Sequence, residues 1–313
     1  MIEVIICTYN GENFIEDQLI SILNQNVTPD LISIYDDLSQ DNTINIIESI
    51  KQKSNIDINI TINKEQKGYR RNFLEAILKS KSKFIFLSDQ DDVWINTKIE
   101  IMASNLRNSN VDAICSNSWI TGEDISQVQT TFFSQKKINI SKFNKNPFLA
   151  LMRTNSISGS CLCFVNSTKL KRLLTTYFVE FEHDYQLGMI FSLIGRILLI
   201  NDKLIYYRQH ENNSLGIQSY SITDKFKKIL FNKLDKNLII EKIASFQKII
   251  PEINDMDKLI LVEKELFFLK KMIAASFSFK GRISFLVKNI IFILKTRRLK
   301  MGLNFFLNGF KTK

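Results

Sequence analysis

The stretch Phe84-Ile85-Phe86-Leu87-Ser88-Asp89-Gln90-Asp91-Asp92-Val93-Trp94 decides the fold. Four consecutive apolar residues rich in aromatic and β-branched side chains read as a strand buried on both faces. The run ends in a cluster of three carboxylates. Adjacent carboxylates repel, and holding them at the end of a buried strand is costly unless a cation neutralises them. A divalent ion on such a cluster would neutralise a departing diphosphate. The alternative is a solvated turn whose acids cap the next helix.

The same grammar recurs on both sides of this stretch. Val4-Ile5-Ile6 reads as a buried strand and Phe14–Leu23 as a helix with Ile15, Leu19, Ile22 and Leu23 on one side. Leu31–Tyr35 is a second strand, followed by a helix from about Asn42 to Lys51. Ile56–Ile62 alternates as a third strand, with a helix over Arg70–Leu78. A helix near Thr97–Leu106 and a strand near Ala113–Ser116 follow the central stretch. Strands alternating with helices imply βαβ units and a mostly parallel sheet. Ligands of such sheets bind beyond the carboxyl ends of the strands. Thr8-Tyr9-Asn10, Asp36-Asp37 and Ser88–Asp92 all fall at those ends.

Further along, Thr121–Asn146 shows little periodicity and reads as a loop or irregular insertion. Ser158–Val165 reads as a core strand, Phe181–Phe191 as a loop entering a helix, and Ile197–Arg208 as two short strands. Helical patterns then run to the end of the chain.

Each polar cluster has its own chemistry. A carboxylate of the Asp36-Asp37 pair at a strand tip suits the imide N–H of a nucleobase, with Tyr9 offering an aromatic face. Turn and cap chemistry is the alternative for this pair and for Asp41. Lys67 and Arg70 bring positive charge to the same rim, or form a solvated helix start. An acceptor hydroxyl is a weak nucleophile, so a carboxylate must take its proton as it attacks. Asp184 suits that role better than Glu180 or Glu182, because it opens the apolar helix Tyr185–Phe191. An N-cap is its other reading.

Ile5-Ile6-Cys7-Thr8-Tyr9-Asn10-Gly11, Tyr35-Asp36-Asp37-Leu38-Ser39, the Ser88–Trp94 stretch and His183-Asp184-Tyr185, taken in order, resemble the family-two inverting glycosyltransferases of GT-A fold. The resemblance covers about residues 2–216. The Asp-Gln-Asp-Asp-Val-Trp form and Tyr207-Arg208-Gln209-His210-Glu211-Asn212-Asn213 are similar to the bacterial rhamnosyltransferase branch, which builds surface polysaccharides. The resemblance implies an α/β fold, a Rossmann-like GT-A nucleotide-diphospho-sugar domain with a C-terminal α-helical extension. It places Cys7, Tyr9 and Asp37 at the nucleobase, with Thr8 and Asp36 beside them. Asp89 and Asp91 then stand at the metal and sugar nucleotide, with Gln90 and Asp92 adjacent. Asp184 becomes the general base, and Arg208 and His210 lie near the diphosphate or acceptor. The implied cofactor is Mn2+ or Mg2+. Leu38 stands where many relatives have Gly, and His183 where many have Glu.

Composition divides the chain. Of 42 Lys+Arg and 32 Asp+Glu, Ser221–Lys313 holds 20 basic and 8 acidic residues, so the +10 net charge is concentrated in the last third. The expected division is a GT-A domain over 1–216 and a basic amphipathic extension over 217–313. From Lys280 onward nine basic residues and no acidic ones are interleaved with apolar residues including Phe285 and Phe292. That mixture suits an anionic membrane surface, or a solvated helical face packed on the body. Nucleic acid is not an expected partner, because no recognition motif accompanies the charge. Four scattered cysteines and two histidines argue against a disulfide scaffold or a His-rich metal site. No export signal or spanning stretch is evident, which predicts a cytoplasmic protein, peripheral on the inner face of the cell membrane.

The sequence therefore predicts metal-dependent transfer of a sugar, with rhamnose favoured, from a nucleotide-diphospho-sugar to a glycan or lipid-linked acceptor. The alternatives are a UDP-hexose or UDP-HexNAc donor, a nucleotidyltransferase, or a non-catalytic membrane-binding protein with a degenerate transferase domain. Thr8-Tyr9-Asn10-Gly11 makes a poor nucleotidyltransferase phosphate loop.

Overall fold

The structure, a computed structural model, describes residues 1–210 and 236–275 together with 284, 285 and 289. The sequence readings for 211–235 and for nearly all of the tail beyond 275 lie outside the described residues. Two compact units are present. The first comprises Met1–Leu151, Asn155–Thr175 and Glu182–Gly216, and the second Met152–Thr154, Thr176–Phe181 and Ile217–Lys313.

The first unit is built on a nine-stranded sheet. Its strands are β1 (Ile2–Thr8), β2 (Leu31–Asp36), β3 (Asp57–Ile62), β4 (Phe84–Ser88), β5 (Val93–Trp94), β6 (Ala113–Thr121), β7 (Val128–Thr131), β8 (Leu162–Val165) and β9 (Ile197–Arg208). Their order is β3-β2-β1-β4-β8-β6-β9-β5, with β7 paired to β6. Every residue of β1 and β4 is buried, which is why these strands read as unbroken apolar runs rather than alternating ones. Helices α1 (Ile15–Leu23), α2 (Thr43–Lys53), α3 (Tyr69–Lys79) and α4 (Lys98–Asn108) connect the strands. Each buries a helical-period stripe, such as Ile99, Met102, Ala103 and Leu106 on α4.

Parallel pairing is confined to β3-β2-β1-β4 and to β6 with β9. The pairs of β8 with β4 and β6, β7 with β6, and β5 with β9 are antiparallel. The sheet is therefore mixed: the mostly parallel character expected of it resides in β3-β2-β1-β4 and in the pair of β6 with β9.

Three further differences from the sequence reading have local causes. The segment 121–146 contains β7, α5 (Phe132–Gln135) and α6 (Ile140–Lys145), which are too short to show a period. They are fixed instead by caps: Thr131 accepts from Ser134 N–H and Asn139 from Lys142 N–H. Helices α7 (Pro147–Arg153) and α8 (Thr168–Leu174) flank β8, whose predicted first residues form a 3-10 turn over Gly159–Cys161. Ile197–Arg208 is one strand rather than two, and the irregularity lies in register shifts against β6. Helix α9 (His183–Ile194) precedes it. All four cysteines are buried and free.

The second unit is helical where described. Helix α10 (Lys236–Ile249) and helix α11 (Met256–Ala275) bury Ile243, Phe246, Ile249, Val262, Leu269 and Met272. The segment 176–181 belongs to this unit: Phe178 packs its ring 5.5 Å from that of Phe246, and its N–H donates to Ser245 Oγ at 2.9 Å. Phe285, one of the aromatics interleaved with the basic tail, is 4% exposed and packs on Phe268. No helix among the described residues is long and apolar enough to cross a membrane.

Leu38 resolves the departure noted in the sequence. Its φ is 67°, the left-handed region where a Cβ costs about 1–2 kcal/mol, so the glycine of relatives is the unstrained choice. Leu38→Gly is expected to leave the thermal midpoint unchanged or raise it, since relief of strain is partly offset by glycine's greater unfolded-state entropy. Leu38→Val should lower the midpoint, by about 2–4 °C for each kcal/mol lost. Calorimetry checks both; a valine variant as stable as the parent would deny the strain.

Candidate active site

The strand register sets the rim. Thr8 pairs with Asp36 across β1 and β2, and Ile6 with Ser88 across β1 and β4, so three strands end side by side. Asp36 is fully buried and accepts from Thr8 Oγ1 at 2.8 Å, Ser39 N–H at 2.8 Å and Ser39 Oγ at 2.5 Å. Asp37 accepts from Asn63 Nδ2 at 2.9 Å and from the N–H groups of Lys67 and Gly68 at 2.8 Å. Both carboxylates thus shape the loops around the first strand ends. Lys67 turns its ammonium to Glu75 at 2.6 Å and Asn63 at 2.9 Å. Its charge is engaged at the rim rather than projecting from it. Arg70 follows on the first turn of α3, partly exposed. Asp41 does the turn work expected of it, accepting from Glu12 and Thr43 N–H groups at 3.0 Å.

The acid loop is strapped at several points. Gln90 clamps the backbone of Tyr9, with Oε1 accepting the Tyr9 N–H at 2.8 Å and Nε2 donating to its carbonyl at 3.0 Å. A Cβ on Gly11 would lie 2.4 Å from that Oε1, so the glycine makes room for the clamp. Downstream, β5 pairs with Tyr206 and Ile205 of β9. Asp92 accepts the Arg208 N–H at 3.3 Å, and His210 Nε2 faces Asp91 Oδ2 at 2.9 Å. The His210 ring centroid lies 4.4 Å from that of Phe14, and the Arg208 guanidinium lies 4.8 Å over the same ring while bonding Asp17 at 3.0 Å. Beneath the loop, fully buried Lys98 places its ammonium 3.3 Å from the Trp94 ring centroid and donates to the Ser160 carbonyl at 2.6 Å. Burial pulls its pKa down to about 7.

Electrostatic coupling joins these groups into one site. Burial, then Asp91 and then Asp184, push Asp89 well above the ordinary carboxylate range. Burial and the charges of Asp91 and Asp89 do the same to Asp92. The Cys7 thiol is raised by burial and by both Asp89 and Asp37. Cys7 thus feels the charges of Asp37 and Asp89, and Asp89 those of Asp91 and Asp184. Tyr9 is 44% exposed, with its ring open to a ligand.

Asp184 sits in the first turn of α9, where it accepts from Asn155 Nδ2 at 3.0 Å. Burial pushes its carboxyl up to about 6, against the lowering effect of hydrogen bonds from the Tyr185 N–H and Asn155. That places it close to neutrality, where a base works best. Glu182, its rival, accepts from the Tyr69 hydroxyl at 2.6 Å. Nothing in the sequence pointed to Asn155, which meets Asp184 only through the fold. His183 is 5% exposed, stacked 4.4 Å from the Phe73 ring, and burial lowers its pKa to about 4. Neither of its ring nitrogens has a hydrogen-bond partner among the described residues. A Cβ on Gly159 would lie 2.6 Å from its Nε2.

Among the described residues no group of three His, Cys, Asp or Glu side chains is arranged to hold a metal. Asp91 and His210 do form a facing pair. One or two carboxylates such as Asp91 and Asp89 suffice for a hard cation that takes its remaining oxygens from water and a diphosphate. A separate cavity of about 550 Å³ lies on the sheet face that carries Glu3, Ser33 and Tyr35. Its buried carboxylate, Glu3, is already satisfied by Ser33 at 2.6 Å and Ser80 at 2.5 Å.

A family model described as Glycosyl transferase family 2 matches residues 3–173. The dTDP-rhamnosyl transferase RfbG of Shigella flexneri is 30% identical over 247 residues, which span 71% of this chain and 77% of that protein. The Escherichia coli protein WfgD, named as a UDP-Glc:alpha-D-GlcNAc-diphosphoundecaprenol beta-1,3-glucosyltransferase, is 27% identical over 73% of this chain and 82% of its own. Among solved structures, S. aureus TarS 1-349 in complex with UDP-GlcNAc superposes with a TM-score of 0.52 at 15% identity, covering 98% of this chain and 90% of that one. The mannosyltransferase PcManGT from Pyrobaculum calidifontis, in complex with GDP-Man and Mn2+, gives 0.52 at 14% identity over 98% and 84%. These two likenesses speak for the fold alone, which is that of GT-A transferases.

The clamp between Tyr9 and Gln90 yields a test by coupling. Gln90→Ala should cost about 1 kcal/mol of folding stability, as two partly exposed hydrogen bonds are lost. Gly11→Ala should cost at least as much, because its Cβ displaces the amide. The double variant should lose less than the two singles combined. Denaturant midpoints measure all three, and simple additivity would break the link between Gly11 and Gln90.

Proposed function

The chain belongs to glycosyl transferase family 2 and is a glycosyltransferase; we propose that it inverts the sugar it transfers, using Asp184 as base. An acceptor sugar hydroxyl attacks the anomeric carbon of a nucleotide-diphospho-sugar and gives its proton to the Asp184 carboxylate. The new C–O bond forms opposite the breaking one, and the nucleoside diphosphate leaves with the bonding electrons. The observation that supports this reading is Asp184 itself, a carboxylate in the first turn of α9 that Asn155 holds at 3.0 Å and whose proton affinity burial raises.

The chain's own residues divide the remaining work. Asn155 orients the Asp184 carboxylate, and burial keeps its proton affinity high enough to accept a hydroxyl proton near neutrality. Tyr9, 44% exposed at the end of β1, offers its ring to the nucleobase, with Cys7 and the loop that Asp37 holds beside it. Arg70 lies close to that loop. Asp91 and Asp89 would hold Mn2+ or Mg2+ together with the diphosphate, where the cation would supply charge neutralisation of the leaving group, and His210 faces Asp91 beside them. Arg208 and Asp92 fix the β9 end from which His210 reaches the loop.

The donor we favour is deoxythymidine-diphospho-rhamnose, on the similarity to RfbG and on the Asp-Gln-Asp-Asp-Val-Trp form of the acid loop. The acceptor is a lipid-linked oligosaccharide of surface polysaccharide synthesis, which the similarity to WfgD supports. The protein then works peripherally at the inner face of the cell membrane, with the basic region 217–313 as its contact. A second reading keeps the fold and the chemistry but takes a UDP-hexose donor.

A donor-hydrolysis screen across nucleotide sugars, with and without Mn2+, tests the donor; turnover of UDP-glucose alone would replace rhamnose. Excess chelator should abolish turnover, and full activity in its presence would remove the cation from the mechanism. The base must be ionised to act, so kcat/KM should fall as pH drops through about 6. Asp184→Asn should cost at least about 100-fold in kcat while retaining nucleotide affinity by calorimetry. A variant that lost nucleotide binding instead would reject the assignment of the base.

A further inference from the structure

We propose that the exposed stripe of α11 is the surface through which the second unit docks on an anionic lipid bilayer. This rests on the membrane-peripheral reading above and narrows it from a region to one helix face.

Met256, Ile260 and Phe267 are 68%, 40% and 60% exposed. At about 100° per residue these three positions fall within roughly 40° of one another around the helix. The face is not surplus core. Val262, Leu266, Leu269 and Met272, on the other side of the same helix, are the residues buried in the unit. Large apolar side chains aligned in solvent, rather than scattered, mark a surface that meets something.

The flanks identify the partner. Lys264 and Lys271 border the stripe on one side and Lys270 on the other, all exposed, with Glu263 the only acid on the stripe from Ile260 onward. The Lys271 ammonium lies 4.1 Å from the Phe267 ring centroid, so its aliphatic stem runs beside the apolar residue while the charge sits at the margin. Apolar residues flanked by lysines suit the boundary between acyl chains and anionic headgroups. A second copy of this face would set lysine against lysine. The helix carries too much charge to cross the bilayer, so it lies on it. The chain that follows adds nine basic residues and no acidic ones from Lys280 onward, extending the same complementarity. Phe285 is turned into the core against Phe268, which moves the first apolar contact from the tail to α11.

Vesicle flotation of the full chain tests the proposal. Binding is expected to phosphatidylcholine vesicles containing phosphatidylglycerol, weaker in high salt, and weak to phosphatidylcholine alone. Ile260→Glu with Phe267→Glu should reduce partitioning at least about tenfold, from loss of apolar burial alone, with circular dichroism and thermal midpoint unchanged. The triple change of Lys264, Lys270 and Lys271 to Gln should reduce it about tenfold or more at low salt. If the parent protein ignores anionic vesicles, the membrane reading itself fails. If the parent floats and the double Glu variant floats equally, the α11 assignment fails while that reading stands. A parent that is dimeric in solution, made monomeric by the double change with flotation intact, would assign the stripe to a second copy.

Discussion

Three carboxylates within four residues, Asp89, Asp91 and Asp92, meet at the end of a buried strand, and their repulsion is the constraint on which the site depends. Contacts from elsewhere strap the loop: the Gln90 amide on Tyr9, the short β5 on β9, the Arg208 N–H on Asp92 and His210 on Asp91. Lys98 adds a buried amine beneath, its pKa drawn down to about 7 by burial. Burial and the neighbouring carboxylates meanwhile raise the proton affinity of Asp89 and Asp92, so the loop keeps its acids close together at the cost of their ionisation.

The first half of the sheet was open to reading from the sequence because its strands are buried on both faces and its helices present clear stripes. The boundaries of α1, α3 and β4 fall within a residue or two of the periodic signal. The second half was not, for different reasons in different places. Helices α5 and α6 are shorter than two helical turns and leave no period; only the caps at Thr131 and Asn139 announce them. The length of β9 was hidden by Asn201, Asp202 and Lys203, a polar interruption that falls where its pairing with β6 shifts register.

At the site, sequence position said little about what each side chain touches. Asp37, Asp91 and Asp184 stood out because they follow apolar runs or open an apolar helix. Lys67 was expected to face a ligand, yet it is paired with Glu75 eight positions away on α3. Asp36 and Asp37 spend their oxygens on the loops around them, a use that hydrogen-bond geometry reveals and residue type does not. Asn155 and Asp184 are distant in sequence, and no spacing rule connects them.

The glycine at 159 is a vacancy filled by the imidazole of His183, with Nε2 where a methyl group would stand. The ring is pressed against Phe73 on its other side and cannot retreat. Positions 159 and 183 are therefore coupled: a side chain at the first requires a smaller or reoriented one at the second. Because the second immediately precedes Asp184, a change at a buried glycine becomes a change in where the Asp184 carboxylate points.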